Sequence, residues 1–137
     1  MRILALDLGK RRIGLAISDE LGVTAQGLPT LERTTIREDL AQLGKLIDEF
    51  GVSLILMGNP LHLSGREGRQ ADYARDFSER LTEVTRVPLI LWDERLTTVQ
   101  ANRVLRESGI SSKKRAKAVD RLAAVILLES YLDSLQA

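Results

Sequence analysis

Apolar positions along the chain fall into short unbroken runs and longer stripes of helical period. Ile3, Leu4, Ala5, Leu6 and Leu8 make the first run, the mark of a strand buried on both faces. Gly9, Lys10, Arg11 and Arg12 interrupt it, and Gly14 opens a second run at 15–17, so the pair reads as a β-hairpin with a basic tip. A third, less regular strand is expected near 28–31, completing an antiparallel meander. Thr35, with Glu38 three residues on, has the capping-box pattern. Ile36, Leu40, Leu43, Leu46, Ile47 and Phe50 then recur at helical spacing until Gly51 stops them. The run 52–57 predicts a buried strand ending in Gly58, Asn59 and Pro60. A helix is expected at 66–85 and a strand at 87–92, ending in Asp93, Glu94 and Arg95. A short helix capped by Thr97 and closed by Gly109 follows, then a polar, basic segment at 110–117 and a final helix over about 118–135. Three strands, two rounds of helix and strand, then helices predict an α/β fold in which one mixed sheet is flanked by helices.

With 137 residues the chain suits a single domain with one sizeable core. Its 20 Lys and Arg against 19 Asp and Glu leave a net charge of +1, so contact with nucleic acid has to come from local clustering. The lack of cysteine excludes disulfides, thiolate zinc sites and cysteine nucleophiles. No apolar stretch nears the roughly 18 residues of a membrane helix. The short first run, leading into a charged turn, does not fit a signal peptide. The expectation is a cytoplasmic protein with no membrane partner.

Asp7 interrupts the first apolar run with a carboxylate. Burying an unpaired charge costs several kcal/mol, so Asp7 needs a cation, a donor network or solvent, unless it only caps the turn beside Gly9. Ligands in such sheets bind at the carboxyl ends of parallel strands. Asp7, the 58–60 turn and Asp93 with Glu94 all lie at such ends. Asp120 opens the predicted final helix, where the dipole favours a carboxylate by about 0.3–1 kcal/mol. Three acids aimed at one point repel unless divalent cations lie between them. Carboxylate oxygens without His or Cys suit Mg²⁺ or Mn²⁺. Two such ions about 3.5–4 Å apart can activate water and stabilise the leaving oxygen of a phosphodiester. Lys10, Arg11 and Arg12 on the hairpin tip, and Lys113, Lys114, Arg115, Lys117 and Arg121 around the start of the last helix, flank these acids as phosphate clamps would. Solvated loops are the plainer reading of the same runs. Arg66 and Arg69, between glycines, offer a third contact, and Arg95 pairs with a carboxylate or a phosphate.

The spacing Asp7-x-Gly9-x-x-Arg12-x-Gly14, with Ala16, Ser18 and Asp19 behind it, resembles the opening of the YqgF/RuvX family of the ribonuclease H-like superfamily. A similar hairpin opens actin-like ATPases and sugar kinases, but those close a second domain over nucleotide, which 137 residues do not supply. Gly58, Asn59 and Pro60, with Gly65 to Gly68 behind them, resemble the family's Gly-x-Pro loop and Gly-rich segment. Asp93, Glu94, Arg95 and Thr97 resemble its Asp-Glu-Arg motif. Asp120, Ala123, Ala124, Ile126, Leu127 and Leu128, with Tyr131 and Leu132, resemble its closing helix. The resemblance spans the chain. It implies a ribonuclease H-like fold and an acidic, metal-binding catalytic site of Asp7, Glu94 and Asp120 with Mg²⁺ or Mn²⁺. It also implies a nucleic-acid partner, either structured RNA, as at the 5′ end of pre-16S ribosomal RNA, or branched DNA, as in a Holliday junction. Strand alternation alone does not choose between Asp93 and Glu94, because both faces are apolar upstream; the resemblance favours Glu94. A non-catalytic nucleic-acid-binding or assembly factor is the reading from another class.

Overall fold

The computed structural model describes residues 1–59, 69–93 and 112–135. In chain order its elements are β1 (Arg2–Leu8), β2 (Arg12–Ser18), β3 (Ala25–Glu32), α1 (Ile36–Phe50), β4 (Val52–Asn59), α2 (Arg69–Thr85), β5 (Leu89–Asp93) and α3 (Ser112–Ser134). The strands form one sheet in the order β3-β2-β1-β4-β5. The first three pair antiparallel, and β4 and β5 add in parallel beside β1. This is the mixed sheet that the element pattern predicts.

The apolar run Ile3 to Leu6 of β1 is explained by cover on both faces. Leu4 and Leu6 pack with Leu43 of α1 and with Phe77 and Leu81 of α2. Ile3 and Ala5 join Ala16, Leu54 and Leu56 beneath Ala124, Leu127, Leu128 and Leu132 of α3. β1 is therefore the central strand of a three-layer stack, and its carboxyl end opens between two packed cores.

Local signals explain most boundaries. Thr35 Oγ1 accepts the Glu38 N–H at 3.1 Å, but the Glu38 carboxylate takes the Thr34 hydroxyl at 2.6 Å, so only half of the capping box forms. Gly51 ends α1 in the left-handed region at φ 63°. β3 is longer than the expected 28–31, because a bulge lets it continue: the step from Ile13 to Leu15 faces the longer step from Leu31 to Leu28. Pro29, which has no N–H to give, falls inside that bulge.

The largest departure is at α3, which begins at Ser112 and not near 118. The basic segment expected to be a loop is helical because Lys, Arg and Ala are good helix formers whatever their polarity. The helix expected between Thr97 and Gly109, and the start at 66–68 expected for α2, lie outside the described residues. Among the described residues no helix is long and apolar enough to cross a membrane.

Candidate metal and nucleic-acid site

Alternation along β1 puts Asp7 on the α3 face, in line with Ile3 and Ala5. Its partner on β2 is Gly14. The register that pairs Leu6 with Met57 brings Gly58 of β4 level with Asp7 on the other side. Half-buried Asp7 is thus flanked on both neighbouring strands by glycine. The gap at Gly14 is filled by backbone. A Cβ there would lie within 3.0 Å of the Asp120 carbonyl oxygen and 3.1 Å from Asp120 Cα, so α3 rests directly on β2 one strand away from Asp7. Adjacent strands lie roughly 5 Å apart, so the α3 backbone at Asp120 stands beside the strand next to Asp7, although the two acids are distant in sequence.

Asp120 does not open its helix, as the sequence led us to expect. It is eight residues past Ser112, beyond the first turn where the dipole acts, so the dipole does not account for it. Instead it sits one turn before Ala123 and Ala124, on the stripe that faces the sheet. Arg12 Nε donates to Asp120 Oδ2 at 2.9 Å, and their side chains are 28% and 21% exposed. Burial pushes the Asp120 carboxyl above its ordinary value, and Arg12 pulls it part of the way back. Arg12, expected on the turn as a phosphate clamp, is the first residue of β2 and a counter-ion to the acid.

The donor chemistry fits a hard divalent cation. Both groups offer carboxylate oxygens only, and the cost of burying Asp120 as an anion is one that a cation relieves. Among the described residues no third His, Cys, Asp or Glu joins them in a metal-sized group.

On β5, Leu89 and Leu91 pack toward α1 and α2, whereas Ile90 and Trp92 pack toward α3. Trp92 donates Nε1–H to Ser130 Oγ at 3.2 Å and meets the Tyr131 ring edge-on at 5.2 Å, so it is a packing residue. Glu94, Arg95 and Arg66 lie outside the described residues. Asp93 ends β5 and Arg69 opens α2, while Lys113, Lys114, Arg115 and Lys117 fall in the first turns of α3. Lys10 and Arg11 are exposed on a turn closed by Gly9 N–H to Arg12 O at 2.9 Å. Arg121, grouped with the clamps by sequence, donates to the Leu28 carbonyl at 3.1 Å and lies along Gly27, strapping α3 to β3.

Sequence reasoning missed a buried pair behind that turn. Arg33 Nε donates to Asp39 Oδ2 at 2.9 Å, with side-chain exposures of 7% and 1%. The Arg33 side chain also donates to the Gly9 carbonyl at 2.9 Å and lies over the rings of Tyr73 and Phe77. Burial works against the Arg33 charge, but Asp39 and Tyr73 outweigh it and hold the guanidinium above its ordinary value. One signal was available: Asp39 shares the inward stripe of α1 with Ile36 and Leu43, a place for an apolar residue.

Residues 1–134 match the family model described as RuvX, Holliday junction resolvase. A protein of Koribacter versatilis named "Putative pre-16S rRNA nuclease" is 53% identical over 132 residues, covering 96% of this chain and 86% of that protein. A protein of the same name from Clostridium novyi is 45% identical over 135 residues, covering 98% of this chain and 100% of that one. The solved structure of T. thermophilus RuvC in complex with a Holliday junction substrate shares the fold, with a TM-score of 0.63 at 13% identity over 100% of this chain and 97% of that one.

Proposed function

The chain belongs to the RuvX family, and from that premise we propose that it is a single-domain, divalent-metal-dependent nuclease of the cytoplasm. It hydrolyses phosphodiesters in structured nucleic acid, with the 5′ end of pre-16S rRNA as the favoured substrate, in keeping with the names of its relatives. The observation that carries this reading is that Asp7 and Asp120 both adjoin Gly14, one as its strand partner and the other through the α3 backbone. Glu94 completes the acidic set by its resemblance to the Glu of the family's Asp-Glu-Arg motif. Asp7, Glu94 and Asp120 would hold Mg²⁺ or Mn²⁺ through hard oxygen donors. A cation of that kind, once bound, activates water and stabilises the leaving oxygen. The chain itself brings the acids to one end of the sheet, pairs Asp120 with Arg12, and collects phosphates on Lys10, Arg11, Arg66, Arg69, Arg95, Lys113, Lys114, Arg115 and Lys117. Resolution of branched DNA is the second reading, favoured by the description of the family model.

The test compares a 5′ pre-16S RNA fragment with a four-way DNA junction, each with Mg²⁺, Mn²⁺ or chelator. Metal-dependent cleavage is expected from the parent. Asp7→Asn, Glu94→Gln and Asp120→Asn should each lose it while still melting cooperatively. Cleavage that survives chelation, or survives all three substitutions, would overturn the reading. Binding without any cleavage would make the protein a non-catalytic factor.

A further inference from the structure

We propose that the polar cleft beside the β1–β2 turn, on the α1 and α2 side of the sheet, is a second nucleic-acid subsite. It takes an unpaired nucleotide of the strand being cut, with the phosphate on Lys10 and Arg11 and the base against Tyr73. The nuclease reading supplies the identity of the ligand; the cleft itself stands on separate observations. Its volume is about 460 Å³, and Lys10, Arg11, Thr34, Ile36 and Tyr73 line it together with Arg33 and Glu32. That is the size of ordinary small-ligand pockets, which run to roughly 300–1,000 Å³.

The floor of the cleft is built. Arg33, whose side chain is 7% exposed, holds the Gly9 carbonyl through that side chain and the Arg11 carbonyl through its N–H, both at 2.9 Å. Its guanidinium also lies 5.5 Å from the ring centre of Tyr73. One buried cation therefore fixes both the peptide that displays Lys10 and Arg11 and the ring of Tyr73. Tyr73 is 41% exposed on a helix that turns Ala74, Phe77 and Leu81 inward. An exposed ring held in place beside exposed cations is the pairing by which single strands are bound, bases on aromatic faces and backbone in a positive groove. Asp39 matches Arg33, so the cleft's charge is that of Lys10 and Arg11 against Glu32. A small net positive charge suits one phosphate and not a run of them.

Position links the cleft to the acids. Lys10 is three residues beyond Asp7, roughly 10 Å at most along extended chain. Asp7 faces α3 and the cleft lies across the turn, so a strand with a phosphate at Asp7 reaches the cleft within a nucleotide or two.

The test is fluorescence-anisotropy titration of a labelled single-stranded oligonucleotide, and of a duplex of the same sequence, in chelator so that nothing is cut. Tyr73→Ala should weaken single-strand binding by about 5- to 150-fold, the loss of one base stack, and duplex binding by less than about twofold. Tyr73→Phe should bind as the parent does. Lys10→Gln with Arg11→Gln, both at exposed positions, should lower the log–log salt slope for the single strand by about 0.7 for each phosphate no longer neutralised. Unchanged single-strand affinity in a folded Tyr73→Ala protein, equal losses for strand and duplex, or an unchanged salt slope would each overturn the subsite. A protein that binds as expected and never cuts rejects the nuclease reading alone. One that cuts normally but whose Tyr73→Ala variant binds the strand unchanged rejects the subsite alone.

Discussion

Gly14→Ala separates backbone preference from packing, because the two predict opposite signs. Gly14 lies in β2 and is not among the positive-φ glycines, so alanine suits its backbone and, by limiting the unfolded chain, would add about 0.4–1 kcal/mol. The new methyl, however, would lie within 3.0 Å of the Asp120 carbonyl oxygen and 3.1 Å from its Cα. Both partners are backbone in regular elements, so relief requires α3 to withdraw by roughly 1 Å. Overpacking of this kind costs about 1–3 kcal/mol, and a backbone obstacle belongs at the upper end. The net expectation is a loss of about 2 kcal/mol, or about 6–10 °C in melting temperature for a chain of this size. The same withdrawal carries Asp120 away from Asp7, and a misplacement near 1 Å can cost roughly 100-fold in rate. The assay is a melting curve in chelator beside a cleavage rate in Mg²⁺. Gly44→Ala is the control: it is in α1, a Cβ there meets nothing within 4 Å, and removing a helix glycine should add up to about 1 kcal/mol. If Gly14→Ala melts at or above the parent and cuts at the parent's rate, the helix does not rest on the strand at Gly14.

Arg33→Met strands the Asp39 carboxylate in the core and should cost about 3–5 kcal/mol, whereas Arg33→Met with Asp39→Leu should recover most of that in thermal melts. Asp19 is held below its ordinary value by the backbone N–H groups of Thr24 and Val23. The stability it adds is therefore present above pH 3.8 and lost as pH falls through the folded value, so the melting difference between the parent and Asp19→Ala should shrink in acid. Asp120 has the opposite sign, since burial raises it: metal-free parent stability should fall as pH rises from 3.8 through the folded value. Asp120→Asn, melted in chelator from about pH 3 to 7, should lack that fall, and a parallel fall in both proteins would refute the assignment.

The strands were legible because β1, β2 and β4 are dominated by apolar runs, and Gly9, Gly51 and Thr35 punctuate the chain where turns and caps form. Which face each residue takes was not legible, since a strand covered on both sides has no alternation to read. Packing decides it, by placing Ile3, Ala5, Ile90 and Trp92 under α3. The start of α3 was hidden because the lysines that open it resemble a solvated loop, and their helix propensity carries no apolar stripe. Asp7 was singled out by its apolar surroundings. Arg12 and Arg33 were not distinguishable from surface arginines, because their partners Asp120 and Asp39 become neighbours only in the folded chain.

The docking of α3 on β2 also sets a clock. Arg12 and Asp120 are 108 residues apart in sequence, and α3 is made after all five strands of the described sheet. At about 5–20 residues per second, a ribosome needs about 5–20 s to travel from one to the other. Throughout that interval the nascent chain can assemble the hairpin carrying Asp7 but cannot supply Asp120. Ile3, Ala5, Leu54 and Leu56 meanwhile wait for the helix that will cover them. A nuclease of the kind proposed above would thus be born without its full set of acids, and the step that shields its second core is the same one that brings Asp120 to the sheet.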